Sequence, residues 1–436
     1  MRSVISIADL TNDEIEEIFS LADTADNLRK DRVATGHIMA TLFYEPSTRT
    51  RLSFESAMQR LGGTVISCSD MKSSSTAKGE TIADTAKVVS SYADVLVVRH
   101  NWDGAVQAMT EHADVPVINA GDGSHEHPTQ TLCDLYTLRR EKGDLKGLTV
   151  VVCGDLKNGR TIHSLVYALA RFGGHVVTLA APGMELPQYV IDRLEREYDY
   201  ALAPVAADDL SAVVTETDAL YLTPKQPHQL ALFTQVDKVI QTRLNTLATG
   251  LRYDAFYMTR KQKERMKEGA GSSYPTIGPE FLKEQRFQNT VVMHPLPRVD
   301  ELSPEVDSDR RGIYFKQAAY GVPVRMALLK FLFDRRKTKS MTKKPPSVSE
   351  NRLPFGPKCR NPNCVTLKEP ISTQRRFEIH FADDVGYLMQ RCPYCDHRFK
   401  IEFVGDAASK RYCAYDVAFA DFVRGWLKKG ALVIFD

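Results

Sequence analysis

The stretch "LTVVVCGDLKNGRTIHSLVYALARFGGHVVTLAAP" (residues 148–182) contains one complete unit of the fold. It opens with the apolar run LTVVVCGD at 148–155 and closes with another, HVVTLAAP at 175–182. Between them, TIHSLVYALARFGG is of helical length and ends on two glycines. An extended run, a helix and a second extended run predict two parallel strands joined by a crossover. The runs do not alternate apolar with polar residues, so both faces of the sheet are to be covered.

The same rhythm extends in both directions. DVLVVRH at 94–100 and NTVVMHPLP at 289–297 are further apolar strands, and TLCDLYTLRREKG reads as a helix between two such units that join near residue 130. The first helix is announced by TNDEIEEIFSLADTA, where Thr11 and Glu14 form a capping-box pattern and Ile15, Ile18, Phe19 and Ala22 share one face. A near-repeat, DALYLTPKQ at 218–226 and DAFYMTRKQ at 254–262, reads as two parallel strands of one sheet. After LLKFLF the chain turns basic and then rich in Pro and Ser, which marks a linker from about 336 to 352.

Composition narrows the function. Charged residues make up 26% of the 436 and hydrophobic residues 43%, the balance of a folded enzyme of two or three domains. A formal net charge of +2 gives no global attraction for nucleic acid, so any anion site is local. The amino terminus lacks the apolar run of a signal peptide, and no segment approaches the roughly 20 apolar residues of a membrane span. The expectation is a cytoplasmic protein whose eight cysteines are thiols or metal ligands.

EPSTRTRLSFESAMQRLGG, from Glu45 to Gly63, places Arg49 and Arg51 where a helix begins. A helix start is the positive end of the peptide dipoles, so two guanidinium groups there are mis-signed unless an anion joins them. Backbone amides, hydroxyls and a guanidinium fork together suit a phosphate. The Gly-rich P-loop pattern does not occur. SSSTAKGET (73–81) offers hydroxyls and one lysine, VVRH puts Arg99 at the carboxyl end of a strand, and GDGSHEHPTQTL leads through His127 and Pro128 into a helix bearing Gln130. Jointly they form a constellation of donors for anions.

KCRNPNC and RCPYCD supply Cys359, Cys364, Cys392 and Cys395, a C-x4-C…C-x2-C pattern for one tetrahedral zinc. The segment at about 353–405 alternates in a manner suited to short antiparallel strands and is too small to be stable without a metal. Four thiolates leave no open coordination position, so the zinc is structural. His380 and His397 read as strand-face residues. Cys68, Cys133, Cys153 and Cys413 have no ligand spacing. The stretch from Tyr412 to Asp436 reads as a helix followed by a short strand.

FYEPSTRTRLSFE, HPTQTL, DLKNGRTIHS, YMTRKQKER and MHPLPRVDE resemble the catalytic chain of the aspartate carbamoyltransferases. The resemblance runs from residue 43 to about 301, with neighbouring segments fitting to about 335. It implies an α/β fold of two doubly wound parallel-sheet domains followed by a small all-β zinc-binding domain. The carbamoyl-phosphate domain would span 1–130, completed by a returning helix at about 303–335. The aspartate domain would span 131–302, the zinc domain 353–405, and 406–436 would be a tail. The implied activity joins carbamoyl phosphate to L-aspartate, giving N-carbamoyl-L-aspartate and phosphate in pyrimidine synthesis. The resemblance implies that Ser47, Thr48, Arg49 and Thr50 hold the phosphate, and that Arg99, His127 and Gln130 take the carbonyl and amino end. Ser74 and Lys78 would match a loop that reaches a neighbouring subunit's site. Arg160, Arg260 and Gln262 would hold the carboxylates of aspartate, and Leu296 and Pro297 would form a backbone corner near the amine. Arg49, Thr50, Arg99 and His127 are the expected catalytic groups.

Because the site looks shared between chains, a homotrimer or an assembly of trimers is expected, with one structural zinc per chain, no organic cofactor and no nucleic-acid or membrane partner. The cysteine module resembles the zinc domain of the regulatory chain of the same family. Here it is fused behind the catalytic chain, and the linker has no room for the effector domain that usually precedes it. Zinc would then support contacts between subunits. Ornithine carbamoyltransferase shares the phosphate motif, but its cationic substrate would not face Arg260, and this chain reads HPLP where that family has HCLP. A catalytically dead zinc-dependent scaffold would need broken motifs, and these are intact. The stretch between the near-repeats, at about 224–253, is inserted relative to the family pattern.

Overall fold

The computed structural model describes residues 2–68, 79–180, 183–202, 218–223, 255–260, 276–283, 287–335, 359–369 and 391–398 in full; 336–337, 378–382, 387–390, 399–400, 404–406 and 411–413 are described by their backbone. Ser74, Lys78, Gln262 and the inserted stretch at 224–253 lie outside the described residues.

The first sheet contains β1 (Ile38–Phe43), β2 (Thr64–Cys68), β3 (Val95–His100) and β4 (Val117–Asp122) in the order β2-β1-β3-β4, all parallel. Two helices precede it, α1 (Asn12–Asp23) and α2 (Ala25–Lys30), and α3 (Thr48–Arg60), α4 (Ile82–Ser90) and α5 (Ala105–His112) lie between its strands. Both halves of the expected capping box form in α1: Thr11 Oγ1 accepts from the Glu14 amide at 3.2 Å, and Glu14 Oε2 accepts from the Thr11 amide at 2.9 Å. The face carrying Ile15, Ile18, Phe19 and Ala22 is buried, and each large side chain there contributes about 1.5–3 kcal/mol of transfer free energy.

The opening stretch forms β5 (Thr149–Gly154), α7 (Arg160–Arg171) and β6 (His175–Ala180) of a second parallel sheet. With β7 (Ala219–Leu222), β8 (Ala255–Met258) and β9 (Val291–Met293), its order is β6-β5-β7-β8-β9. The near-repeats are adjacent strands in register, Ala219 opposite Ala255 through Leu222 opposite Met258, and the Tyr221 and Tyr257 rings stack 4.1 Å apart. The helix α6 (Pro128–Lys142) leads from one sheet to the other and is buried from Pro128 to Leu138 except at Gln130. The helix α8 (Gln188–Tyr198) covers the second domain, while α9 (Tyr314–Lys337) returns to pack on α1, α3 and α6.

The C-terminal module contains an antiparallel sheet of β10 (Glu378–Ala382), β11 (Tyr387–Arg391) and β12 (Arg398–Lys400). A hairpin follows, β13 (Val404–Asp406) with β14 (Arg411–Cys413), so strand structure passes the boundary expected at 405. The tail beyond Cys413, read as helix then strand, lies outside the described residues. His380 lies in β10, but His397 precedes β12, and its carbonyl accepts from the Cys392 amide at 2.9 Å.

The module sits on its own chain. Its four cysteines, Val365 and Tyr394 share a core with Ala105, Val106 and Met109. Gly104, at φ +78, lies so close to Tyr394 that a Cβ there would come within 2.5 Å of its backbone. Asp103, 7% exposed, ties the surfaces together. Its carboxylate accepts from Asn361 Nδ2 at 2.8 Å and Asn363 Nδ2 at 2.9 Å, and its carbonyl accepts from the Val365 amide at 3.1 Å. Replacing it takes the acceptor from the buried Asn361 Nδ2 and from the Ser124 amide at 2.7 Å, while Asn363 Nδ2 keeps the Asn101 carbonyl at 3.0 Å, so Asp103→Ala should cost on the order of 3 kcal/mol of module docking. Equilibrium urea unfolding followed by fluorescence, with Trp102 beside this interface, checks this. A midpoint equal to the parent's would contradict it.

Candidate active site

In open parallel sheets, ligands lie beyond the carboxyl ends of strands, where neighbouring crossovers leave in opposite directions. The strand orders put those points between β1 and β3 and between β5 and β7. Glu45–Thr50 follow β1, Arg99 ends β3, and Arg160 opens α7 after β5. Arg260 follows β8, and His294–Pro297 follow β9. All of them line one cavity of about 750 Å³.

Three helix starts converge there. Ser47 is the residue preceding α3, yet its side chain does not cap the helix, so the first-turn amides and the Ser47 hydroxyl remain directed to the cavity. His127 precedes α6, with Pro128 at its first position, and Arg160 is the first residue of α7. The two arginines singled out in the sequence separate. Arg49 lines the cavity, whereas Arg51 turns along the helix to Glu55 at 3.7 Å. Only Arg49 is therefore mis-signed, and Arg51 has its carboxylate one helical turn later.

Arg49, Arg99, Arg160, Arg260 and Arg325 line the cavity, with Glu45 the one carboxylate among its described lining residues. Glu45 Oε2 accepts from Arg99 Nε at 3.1 Å and from Arg160 Nη1 at 3.0 Å, joining the first domain to the second. Burial would raise the Glu45 carboxyl, but Arg160 and Arg99 hold it below the usual carboxylate range. Burial and then the nearby Arg160 pull Arg99 down to about 10 despite Glu45, so it stays cationic at neutral pH. Arg49 is lowered by burial and by the charge of Arg260. His127 is pushed well below the ordinary histidine range by burial and by Arg160 and Arg99, so it is neutral. Thr129 Oγ1 lies 3.5 Å from its Nδ1, which leaves Nε2 for a ligand.

Gln130 is aimed by Asp134, whose Oδ1 accepts from Gln130 Nε2 and from Gln317 Nε2, both at 2.9 Å. The Leu296–Pro297 corner, with a cis peptide and Leu296 at φ 55, is held by the Leu296 amide donating to His294 Nδ1 at 2.8 Å. His294 Nε2 in turn meets Glu301 Oε1 at 3.0 Å. Ser47, Thr48, Arg49, Thr50, Arg99, His127, Gln130, Arg160, Arg260, Leu296 and Pro297 thus share the cavity wall. Sequence reasoning missed Glu45, Cys133 and Arg325. Glu45 stood inside the quoted EPSTRT motif; nothing in the local pattern marked Cys133, whose Sγ lies 3.2 Å from Arg325 Nη1.

The four module cysteines are buried, with all four sulfurs within 4.8 Å of one another. Cys359 Sγ to Cys395 Sγ is 3.6 Å, and Cys364 Sγ to Cys392 Sγ is 3.7 Å. A tetrahedral zinc with Zn–S near 2.3 Å needs sulfur–sulfur edges of about 3.8 Å, so the set fits a metal.

Comparison with known proteins agrees with this geometry. Residues 2–140 match the family model "Aspartate/ornithine carbamoyltransferase, carbamoyl-P binding domain", and 146–245 with 240–332 match its "Asp/Orn binding domain". The chain belongs to the aspartate/ornithine carbamoyltransferase family. Residues 357–404 match the "Aspartate carbamoyltransferase regulatory chain, metal binding domain". The aspartate carbamoyltransferase catalytic subunit of Thermoplasma acidophilum is 44% identical over 335 residues, 75% of this chain and 97% of that one. The catalytic subunit of M. jannaschii aspartate transcarbamoylase, a solved structure, is 40% identical with a TM-score of 0.59 and covers 78% of this chain and 100% of its own. The Trypanosoma cruzi enzyme in complex with N-(phosphonacetyl)-L-aspartic acid is 34% identical with a TM-score of 0.57, covering 76% of this chain and 95% of its own.

Burial pushes Asp134 up to about 7, against hydrogen bonds from Gln130, Gln317 and Tyr257 that pull it down. Its folded pKa exceeds the unfolded one, so the folded state holds the extra proton and stability falls as pH rises from about 4 to about 7. Asp134→Asn removes that slope. Relative to the parent, the variant should gain stability between pH 5 and pH 8 in urea titrations, and an equal difference at both would count against it.

Proposed function

We propose that this chain is an aspartate carbamoyltransferase, transferring the carbamoyl group of carbamoyl phosphate to the amine of L-aspartate. The products are N-carbamoyl-L-aspartate and phosphate, a step of pyrimidine synthesis. The observation that carries the reading is the cavity itself: among its described lining residues, five arginines and one carboxylate surround a space at the carboxyl ends of two parallel sheets. Such a site needs more negative charge than Glu45 supplies, and two anionic reactants side by side provide it.

The phosphate sits at the start of α3, taking the Ser47, Thr48 and Thr50 hydroxyls, the first-turn amides and the Arg49 fork. Arg99, neutral His127 and Gln130 face the carbamoyl carbonyl and amide. Arg160 and Arg260, with Gln262, grip the carboxylates of aspartate, and the Leu296–Pro297 backbone faces its amine. Ser74 and Lys78 come from a neighbouring subunit, which makes the enzyme a homotrimer or an assembly of trimers in the cytoplasm.

The neutral amine attacks the carbamoyl carbon, and negative charge gathers on the carbonyl oxygen. Thr50, Arg99 and His127 donate to that oxygen, and a preorganised donor of this kind is worth on the order of 3 kcal/mol. A neutral His127 suits this role, since it donates from Nε2 without a change of protonation. Expulsion of phosphate completes the transfer, and the phosphate accepts the amine's proton. The rest of the acceleration is proximity between two gripped reactants. The metal, one zinc per chain on Cys359, Cys364, Cys392 and Cys395, supplies structure to the module and takes no part in the transfer.

Phosphate release should be supported by aspartate and not by ornithine, because Arg260 opposes a cationic side chain; release with ornithine alone would overturn the aspartate assignment. Arg49→Ala should lower kcat at saturating substrate by about 100-fold or more. A near-parental rate would remove phosphate gripping from the mechanism. Metal analysis should return one zinc per chain, and Cys395→Ser should lose it.

A further inference from the structure

A continuous chain of buried and part-buried polar groups runs from the metal knuckle of the C-terminal module to the backbone of His127. Asp396 follows the ligand Cys395. Its Oδ1 is fixed by Arg391 Nε at 3.0 Å, and its Oδ2 faces His125 Nε2 at 3.3 Å and Arg193 Nη1 at 3.6 Å. His125 is clamped from the other side, Nδ1 lying 3.2 Å from Asp122 Oδ2. Arg193, stacked over the Tyr167 ring at 4.9 Å, also meets Glu126 Oε1 at 3.1 Å. The second oxygen of Glu126 accepts from Ser164 Oγ at 3.0 Å, and that same Oγ accepts from the His127 amide at 2.9 Å. His125 is 6% exposed, Glu126 1%, Ser164 0% and His127 5%.

The groups come from three bodies: the loop into α6 from the first domain, α7 and α8 from the second, and the metal knuckle. None of them lines the cavity except His127. Ionic groups this deep are costly unless every partner is present, so removing one terminus leaves the remainder unsatisfied. A fully satisfied network has one arrangement of its members, and here that arrangement fixes where the His127 backbone and the start of α6 stand. Resting on the carbamoyltransferase reading above, we infer that the docked zinc module positions His127 in cis, with Asp396 as the positioning residue and Arg193, Glu126 and Ser164 as the relay. Asp396 touches no substrate; it acts through the loop His125–His127. The module is thereby a working part of each catalytic unit.

The test is a double-mutant cycle on the full zinc-loaded chain: Asp396→Asn, Ser164→Ala and both together. Three quantities are measured for each: zinc content, kcat with aspartate, and affinity for N-(phosphonacetyl)-L-aspartate. Each single variant should hold one zinc, lower kcat by about 10-fold and weaken the analogue several-fold, the scale seen when supporting shells of a site are removed. The double variant should be no worse than the poorer single, because both cut one relay. Tyr394→Phe, which removes a docking hydrogen bond to Glu111 Oε2 at 2.9 Å outside the relay, should stay within about twofold of the parent. Parental kcat and analogue affinity in Asp396→Asn, or losses that multiply in the double variant, would overturn the inference. So would an equal loss in Tyr394→Phe. Should Asp396→Asn fail to hold zinc, Arg193→Gln replaces it in the cycle with the same two outcomes. A parent that turned over no carbamoyl phosphate would sink the functional reading instead, so the two failures are told apart.

Discussion

Repulsion among guanidinium groups is the constraint around which this molecule is arranged. Five arginines reach one cavity, and Glu45 is the single described carboxylate that answers them there. Arg49 faces the charge of Arg260, and Arg99 that of Arg160, in surroundings from which much of the water is gone. Such a group is tolerable only if the scaffold holds it by other means. The scaffold here is two parallel sheets whose central strands, β1 and β3 in one and β5 and β7 in the other, are buried almost throughout and hold the strand ends in place. The site is electrostatically incomplete and mechanically complete, a condition that favours anions.

Glu45 has two tasks in this arrangement. It neutralises part of the excess charge, and it is a tie between domains, since Arg99 belongs to the first sheet and Arg160 opens a helix of the second. In the proposed binding mode, a substrate carboxylate arriving at Arg160 would compete for the same guanidinium that Glu45 holds. Binding and domain position are therefore linked through one oxygen atom, Glu45 Oε2, which serves both arginines. The helix α6 lies along the same boundary and is buried for most of its length. One of its ends carries His127.

Much of this was legible in the residues. Apolar runs identified the strands at 94–100 and 148–155 because strands covered on both faces do not alternate. The Thr11–Glu14 box identified the first helix because its two hydrogen bonds are local. The near-repeat identified neighbouring strands because equal surroundings select equal side chains, as the stacked Tyr221 and Tyr257 show. What could not be read was pairing over distance. Arg49 and Arg51 look alike in a string, and only the direction of each along α3 tells that one meets Glu55 and the other a cavity. Arg325 and Cys133 are 192 positions apart and come together only when α9 returns to α6. Motifs reveal groups that act through neighbours in sequence; they are silent about groups assembled by the fold.

The fused module illustrates the same limit at larger scale. Four cysteines announce a metal, but nothing in their spacing says what surface they meet. That surface turned out to be the chain's own: the first domain, where Asp103 is enclosed by the amides of Asn361 and Asn363, and α8 of the second, where Arg398 Nη1 donates to Asp192 Oδ2 at 2.7 Å. Association costs translational freedom that a few hydrogen bonds do not recover, and here they add to an apolar contact of Val365 and Tyr394 with Ala105, Val106 and Met109. A covalent tether changes the balance by turning docking into an intramolecular step with a high effective concentration. Fusion therefore favours the docked state in which the Asp103 carboxylate holds Asn361 and Asn363. It also makes the docked state depend on side-chain geometry, and a metal that fixes Cys359, Cys364, Cys392 and Cys395 fixes the directions in which Asn361, Asn363, Tyr394 and Asp396 point.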